Sequence, residues 1–243
     1  MKCQYFGDKK DLFKWDLALT IAQRLGLGIT YIPMLTEPDN TGQGNDRAFP
    51  DGWPGTKNVQ LVRLLRECFN EGRLCINEIK PFFEQIGIQF YSYQNHRHND
   101  GTFFSHGARG EYFTNIPASS LSKRLIFLDP GIGFEGKKLD SKAPWKYVLY
   151  GEAQHLHAMM GPESVLMIFQ FYRGRGLSEK HRPVYFSRVR AKISDAQVSY
   201  IHNTDDLTFF FTTKQDARYA VLSETLQAYH QTYSATTTWS APP

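Results

Sequence analysis

Cysteine is scarce in this sequence and long apolar runs are missing, and both absences narrow the classes of protein to which it can belong. Cys3, Cys68 and Cys75 are odd in number and form no Cys-x-x-Cys pair, so a reduced compartment is expected. No run approaches the roughly eighteen apolar residues of a membrane span, and the first residues lack the apolar centre of a signal peptide. We therefore expect a soluble protein of the cytoplasm, with no membrane partner.

Charge of one sign is also not in large excess. The net charge of +4 permits nucleic acid or an anionic small molecule as a partner, but it requires neither. With 243 residues, of which 41% are hydrophobic and 14% aromatic, the chain can bury a sizeable core. We predict a single α/β domain over residues 1–233, followed by a flexible tail of low complexity over residues 234–243.

The spacing of apolar residues predicts an alternation of helices and strands. Helices are expected over 11–25, 58–70, 77–86, 145–160, 179–193 and 215–230, and strands over 29–35, 88–93, 125–129, 164–170, 198–202 and 207–213. The last two strands are separated by a short turn-rich link, which favours an antiparallel hairpin because a parallel crossover needs more chain. A mostly parallel, Rossmann-like twisted sheet that ends in such a hairpin resembles that of class I methyltransferases.

The strand that ends at Asp129 carries the most informative motif of the sequence. Four apolar residues, Leu125 to Leu128, are followed by Asp129, Pro130 and a glycine-rich turn, which predicts a strand buried on both faces that stops at the acidic residue. Open α/β sheets bind their ligands at the carboxyl ends of the strands. Asp129 is therefore a candidate site residue, and the alternative is a carboxylate that only caps the next turn.

The N-terminal residues carry a resemblance to a known family. The segment from Tyr5 to Trp15, with Gly7, Asp11 and Lys14 at matching positions, is similar to the start of the bacterial ribosomal RNA adenine-N6 methyltransferases of the J type. The resemblance implies that Lys14 lies close to S-adenosylmethionine, with Gly7 and Asp11 beside it. It also implies that Asp129, in place of the family's strand-tip Asp, receives the amino proton of adenine. Along its whole length the chain also resembles a group of bacterial proteins of undefined function.

Two departures from the methyltransferase pattern set limits on that resemblance. The family's first strand runs into a Gly-x-Gly turn, whereas here Glu37 and Asp39 come first and the glycines follow later. These two carboxylates are candidates for binding the cofactor's ribose or amino group, or else belong to a solvated turn. The aromatic residue of Asp-Pro-Pro-aromatic, which stacks on an extruded base, is also missing after Asp129. Phe134 is the candidate replacement, with a core or lid role as its alternative.

Residues that follow another strand end are candidates for binding nucleic acid. Tyr172, Arg173 and Arg175 combine an aromatic ring with two cations just past the strand over 164–170, a combination suited to bases and phosphates. An ordinary solvated loop is the alternative. His96 and His98 are a conceivable metal pair in a polar segment, but no third ligand follows at a recognisable spacing.

Three functions therefore stay open at this point. The first is methylation of a nucleic-acid base, with adenine N6 favoured and S-adenosylmethionine as cofactor. The second is a metal-dependent nuclease, because Asp129, Glu135 and Lys137 follow an Asp…Glu-x-Lys order, although glycines flank the would-be catalytic strand. The third is a degenerate fold of the same type that acts as a non-catalytic binding or scaffold module.

Overall fold

A computed structural model describes residues 2–38, 46–93, 103–105, 107–136, 143–172, 177–204 and 206–240. Within these ranges helices pack on both faces of one large sheet, beside a small two-stranded sheet. The strands are β1 Gly28–Pro33, β2 Phe90–Ser92, β3 Arg124–Asp129, β4 Gly133–Phe134, β5 Tyr147–Val148, β6 Val165–Phe171, β7 Gln197–Asn203, β8 Leu207–Thr213 and β9 Thr237–Ser240. The α-helices are α1 Lys9–Leu25, α2 Val59–Asn70, α3 Lys80–Gln85, α4 Arg109–Thr114, α5 Tyr150–Met159, α6 Leu177–Lys192 and α7 Asp216–Thr232.

The large sheet has the strand order β2-β1-β3-β6-β8-β7-β9. β1 pairs in parallel with both β2 and β3, and β3 pairs in parallel with β6. The chain therefore leaves β1 toward one edge of the sheet to form β2, and afterwards returns to form β3 on the other side of β1. This reversal makes the gap between the carboxyl ends of β1 and β3 the topological switch point, where sheets of this class bind their ligands.

Side-chain alternation along the strands divides the interior into two apolar clusters. Leu125 and Phe127 of β3 pack with residues of α1 and α7 on one face, whereas Ile126 and Leu128 pack with residues of α5 and α6 on the other. Successive side chains of a strand point to opposite faces. Asp129, two residues after Phe127, therefore belongs to the α1 face of the sheet.

Helix α1 begins and ends with clear local signals. The Asp8 side chain caps it by accepting hydrogen bonds from the backbone N–H groups of Lys10 and Asp11. Gly26 ends it in the left-handed conformation, with φ of 63°, which glycine adopts without the steric cost of a Cβ atom. These two caps fix the ends of α1, the helix that carries Lys14.

The predicted architecture is confirmed. The strands over 125–129 and 164–170 are parallel neighbours, and those over 198–202 and 207–213 form an antiparallel pair. The fold is of the α/β class. The strands of its large sheet pair in parallel from β2 to β6 and antiparallel from β6 to the C-terminal edge, as in a methyltransferase-like Rossmann fold. None of the described helices combines the length and the apolar character that a membrane span requires.

Two local predictions are wrong. The helix expected over 145–160 begins only at Tyr150, because residues 147 and 148 pair as β5 with Gly133 and Phe134. The tail expected to be flexible from residue 234 contains β9, whose Thr237 to Ser240 pair antiparallel with β7. In both cases the backbone hydrogen bonds are formed with a strand from another part of the sequence. Local composition does not indicate that such a strand lies alongside.

Candidate functional site

The candidate site lies at the switch point, where β1 and β3 end side by side. Pro33 is the register partner of Asp129, and the Met34 N–H donates to the Asp129 carbonyl oxygen at 3.1 Å. The parallel pairing thus continues one residue beyond β1. It carries the Asp129 side chain to the carboxyl edge of the sheet, beneath the first turns of α1.

An ion pair joins α1 to this strand end. Lys14 Nζ lies 3.0 Å from Asp129 Oδ2, and Tyr31 Oη donates to the same oxygen at 2.7 Å. The Lys14 ammonium also lies 4.3 Å from the centre of the Phe169 ring, whose face attracts a cation. Asp129 and Tyr31 have no solvent exposure and Lys14 has 5%. The pair is therefore a buried one, in which the loss of either partner is costly.

The second oxygen of this carboxylate is the unusual feature of the site. Asp129 Oδ1 is buried and has no hydrogen-bond partner within the described ranges. A carboxylate has room for about four hydrogen bonds, and a buried acceptor left unsatisfied costs roughly 1 to 3 kcal/mol. Such an atom at a ligand-binding edge is a reason to look for a donor that the protein itself does not supply.

The N-cap and the first turn of α1 add the carboxyl groups of Asp8 and Asp11 to the cluster. Asp11 Oδ1 lies 3.4 Å from Lys14 Nζ, and Asp11 Oδ2 accepts the Gly7 N–H at 3.1 Å. Gly7 has φ of +84° and lies close to the Leu65 carbonyl oxygen, which a Cβ would approach to 3.3 Å. Glycine is needed there for both its backbone conformation and its small size. The matching residues Gly7, Asp11 and Lys14 are thus brought together with Asp129.

Burial and mutual repulsion shift the titration of these groups. Burial raises the pKa of Asp11 to about 7, with Lys14 opposing the shift and the carboxylates of Asp8 and Asp129 adding to it. Burial also raises the pKa of Asp8. For Lys14, burial alone would lower the pKa, but Asp129, Asp11 and Asp8 outweigh it and raise the pKa. Near neutral pH the cluster consequently holds a charged lysine and an Asp11 that can take up or release a proton.

Not all predicted cofactor-binding residues join this cluster. Glu37 is exposed, four residues beyond the end of β1. Its carboxylate is therefore open to a ligand at the edge of the sheet but is not part of the buried group. Asp39 lies outside the described residues. The carboxyl end of β1 continues through the buried Met34, Leu35 and Thr36, where the resemblance implied a glycine turn.

Phe134 is not a surface ring at the site. It is fully buried, and its ring stacks on Tyr150 with centres 4.6 Å apart and planes 9° apart. Phe210 packs against it edge-on. The prediction that Phe134 stacks on an extruded base is wrong, because its ring surface is already occupied by the protein's own aromatic residues.

Tyr172 likewise belongs to the interior. Its side chain is 4% exposed and packs against Tyr185 with ring centres 5.8 Å apart, so the expected role in stacking on bases is wrong. Arg173 and Arg175 lie outside the described residues, as do His96 and His98. Their predicted roles stay predictions.

The contacts give the nuclease hypothesis little support. Asp129 Oδ2 is taken by Lys14 and Tyr31, and Glu135 Oε1 accepts the Tyr150 backbone N–H at 3.0 Å. Lys137 lies outside the described residues. Among those described, no group of three or more His, Cys, Asp or Glu side chains is arranged to hold a metal ion.

Tyr31 is the site residue that the sequence analysis missed. It stands two residues before Pro33, on the same face of β1, and Pro33 is opposite Asp129. A long side chain with a hydroxyl group at that position spans the distance to the neighbouring strand's carboxylate. The signal in the sequence was a hydroxyl group on Tyr31 within a mostly apolar strand that also contains Thr30. Reading that signal requires knowing that β1 and β3 are neighbours.

Comparison with known proteins adds little to this geometry. No protein-family model and no curated protein sequence matches the chain. A crystal structure of human methyltransferase-like protein 13 in complex with SAH aligns over 90% of this chain and 88% of that chain, with 12% identity and a TM-score of 0.37. A TM-score of that size carries no argument about function, so the function is argued from the site alone.

Proposed function

We propose that this protein is an S-adenosylmethionine-dependent methyltransferase whose substrate is an amino group of a nucleic-acid base, with adenine N6 favoured. The observation that carries the proposal is Asp129 Oδ1, a buried carboxylate oxygen without a partner among the described residues, at the switch point of the sheet. An exocyclic amino group offers the N–H donor that this oxygen lacks.

The residues around Asp129 have distinct parts in this proposal. Lys14 and Tyr31 hold Oδ2, which keeps the carboxylate in one orientation while Oδ1 accepts a hydrogen bond from an N–H of the substrate. The hydrogen bond to that N–H raises the reactivity of a nitrogen whose lone pair is delocalised into the ring. Asp11, 3.4 Å from Lys14 Nζ and with its pKa raised to about 7 by burial, is the group of the cluster best suited to take up a proton at neutral pH.

The donors and acceptors of the site suit the proposed cofactor in part. S-adenosylmethionine supplies an activated methyl group on a positively charged sulfur. The carboxylate of Asp129 favours a positive charge nearby, and the exposed Glu37 is an acceptor for ribose hydroxyl groups at the end of β1. The glycine turn of the resembling family is replaced by buried side chains, so the cofactor would have to be held with less backbone contact there.

The test measures cofactor binding first and methyl transfer second. Calorimetric titration should detect binding of S-adenosylmethionine, and radiolabelled cofactor should label an adenine-containing RNA or DNA. Asp129→Asn should lower turnover by about a hundredfold or more. Glu135→Gln changes a carboxylate whose Oε1 accepts the Tyr150 backbone N–H and should leave turnover unchanged, whereas a nuclease would lose activity with it. Absence of cofactor binding to the wild-type protein would refute the proposal.

The second candidate function is that of a non-catalytic module of the same fold, and one observation favours it. Asp129 has no solvent exposure, which is what a non-catalytic module of the same fold would show if Lys14 and Asp129 served only to lock α1 onto the sheet. In that case the melting temperature would not respond to S-adenosylmethionine, because a ligand raises it only by binding the folded state. Asp129→Asn should destabilise the protein under either function, so the response to S-adenosylmethionine is what separates the two.

A further inference from the structure

A cavity of about 420 Å³ lies between α1, the start of α2 and α7, away from the Asp129 cluster. Its volume falls within the range of roughly 300 to 1,000 Å³ typical of sites for small molecules. Asp16 lies at this cavity, two residues beyond Lys14 on α1. Lys14 contacts β3, whereas the Asp16 side chain bonds to Asn58 and to α7.

The polar partners of Asp16 are all neutral. Its Oδ1 accepts Asn58 Nδ2 at 3.0 Å, its Oδ2 accepts Tyr229 Oη at 2.9 Å, and only 6% of the residue is exposed. No lysine, arginine or histidine of the described residues forms an ion pair with it. Burial raises the pKa of Asp16, and the hydrogen bonds from Asn58, Tyr229 and Tyr233 offset this only in part. A buried carboxylate in such surroundings gains from a cation, since neutral donors compensate a charge incompletely.

Aromatic rings form the wall beside this carboxylate. Tyr229 and Tyr233 are 4% and 5% exposed, with ring centres 5.0 Å apart. The face of a tyrosine ring attracts cations, and the chain already uses this: Lys57 Nζ lies 5.7 Å from the centre of the Tyr233 ring and donates to the Thr232 carbonyl oxygen. The lining therefore combines a carboxylate with the side chains of two tyrosines, the two kinds of group that sites for organic cations use.

We propose that this cavity binds a small organic ammonium ion, with its charged nitrogen against Asp16 and its alkyl part against the rings of Tyr229 and Tyr233. A neutral molecule of the same shape would fill the cavity but leave the carboxylate without a counter-charge. An anion would meet Asp16 directly. The exposed Arg24 and Lys57 at the cavity compete weakly with the ligand, because their charges are hydrated.

The experiment uses n-butylammonium as the probe and n-butanol as its neutral counterpart. Chemical shifts of the tyrosine rings, followed by NMR on protein carrying ¹³C-labelled tyrosine, should move and saturate with n-butylammonium at concentrations where n-butanol leaves them unchanged. Asp16→Asn should weaken binding by about tenfold or more. Glu224→Gln removes an equal charge from an exposed lining position and should change the affinity by less than about twofold.

Lys57→Met tests the proposal through an expected gain in affinity for n-butylammonium. It removes the ammonium that already lies against Tyr233, so n-butylammonium should bind a few times more tightly, as expected when a repelling like charge is lost near the site. The comparison of Lys57→Met with the wild-type protein leaves Asp16 in place. It therefore still tests the proposal if the Asp16→Asn protein fails to fold. Equal shifts with n-butanol and n-butylammonium, or no saturable shift with n-butylammonium, would overturn the proposal.

Discussion

Lys14 Nζ and Asp129 Oδ2 lie 3.0 Å apart across 115 positions of sequence. This contact ties the first helix to the end of the third strand, directly at the point where the strand order reverses. Because both side chains are buried, their pairing is a condition for the fold as well as the centre of the proposed site.

A double-mutant cycle should measure this pairing. Lys14→Met and Asp129→Asn should each lower the free energy of unfolding by about 3 to 5 kcal/mol, because each leaves the other group buried without its main partner. The double variant should cost clearly less than the sum of the two, since it leaves neither charge alone. Urea unfolding of the four proteins gives the coupling. Simple additivity would mean that the ion pair contributes nothing.

Gly133 should tolerate no side chain. It has φ of +142°, and a Cβ would lie 2.3 Å from Gln170 Oε1, the atom that accepts the Phe134 N–H at 2.8 Å. Gly133→Ala should therefore destabilise the protein by about 1 to 3 kcal/mol. Gly151 lies within α5 with nothing near its Cβ position, so Gly151→Ala should be neutral or slightly stabilising. Thermal unfolding of both variants tests the contrast, and equal effects would contradict it.

Cys75 should be the most reactive cysteine. A hydrogen bond from Cys3 lowers the pKa of Cys75 to about 6, whereas burial raises the pKa of Cys68. At neutral pH iodoacetamide should thus alkylate Cys75 first, as peptide mass spectrometry would show. Cys3→Ala removes the donor and should shift the midpoint of the pH–rate profile at Cys75 upward, while Cys3→Ser keeps a donor and should shift it less. Faster labelling of Cys68 would disprove this assignment.

His157 should make stability depend on pH in the acidic range. Burial, aided by Lys214, lowers the pKa of His157 from its usual 6.5 to about 4. Between these two values the unfolded chain binds a proton that the folded protein does not, so the contribution of His157 to the free energy of unfolding should fall as the pH drops from about 6.5 to about 4. The raised pKa of Asp11 contributes with the opposite sign, because there the folded protein is the state that binds the proton. His202 has the same shift and the same sign.

Urea unfolding at several pH values checks this prediction on matched variants. His157→Gln should remove the contribution of His157, so the free energy of unfolding of the variant should change in the stabilising direction relative to wild type as the pH drops, while His202 and Asp11 continue to titrate. Thr212→Val removes the partner that lies 2.9 Å from His157 Nδ1 and should lower stability while leaving most of the pH dependence in place. A His157→Gln protein with the full wild-type dependence would show that His157 is not its source.

The sequence by itself determined the order of the main helices and strands, the parallel pairing of β3 with β6 and the C-terminal hairpin. Those features depend on local information: apolar runs, glycine and proline at strand ends, and link lengths that allow or forbid a crossover. The position of Asp129 at a strand end followed from the same signals, and the resemblance at Gly7, Asp11 and Lys14 suggested their grouping.

Only the tertiary structure decided which side chains meet. It buried Lys14 against Asp129, added Tyr31 to them, stacked Phe134 on Tyr150 and paired Thr237 to Ser240 with β7. Each of these depends on the lateral neighbour of a strand or the facing side of a helix, which residues far along the chain supply. A helical lysine or a strand phenylalanine has the same local sequence signal whether it is solvated, catalytic or part of the core. Burial among particular partners is what separates these roles.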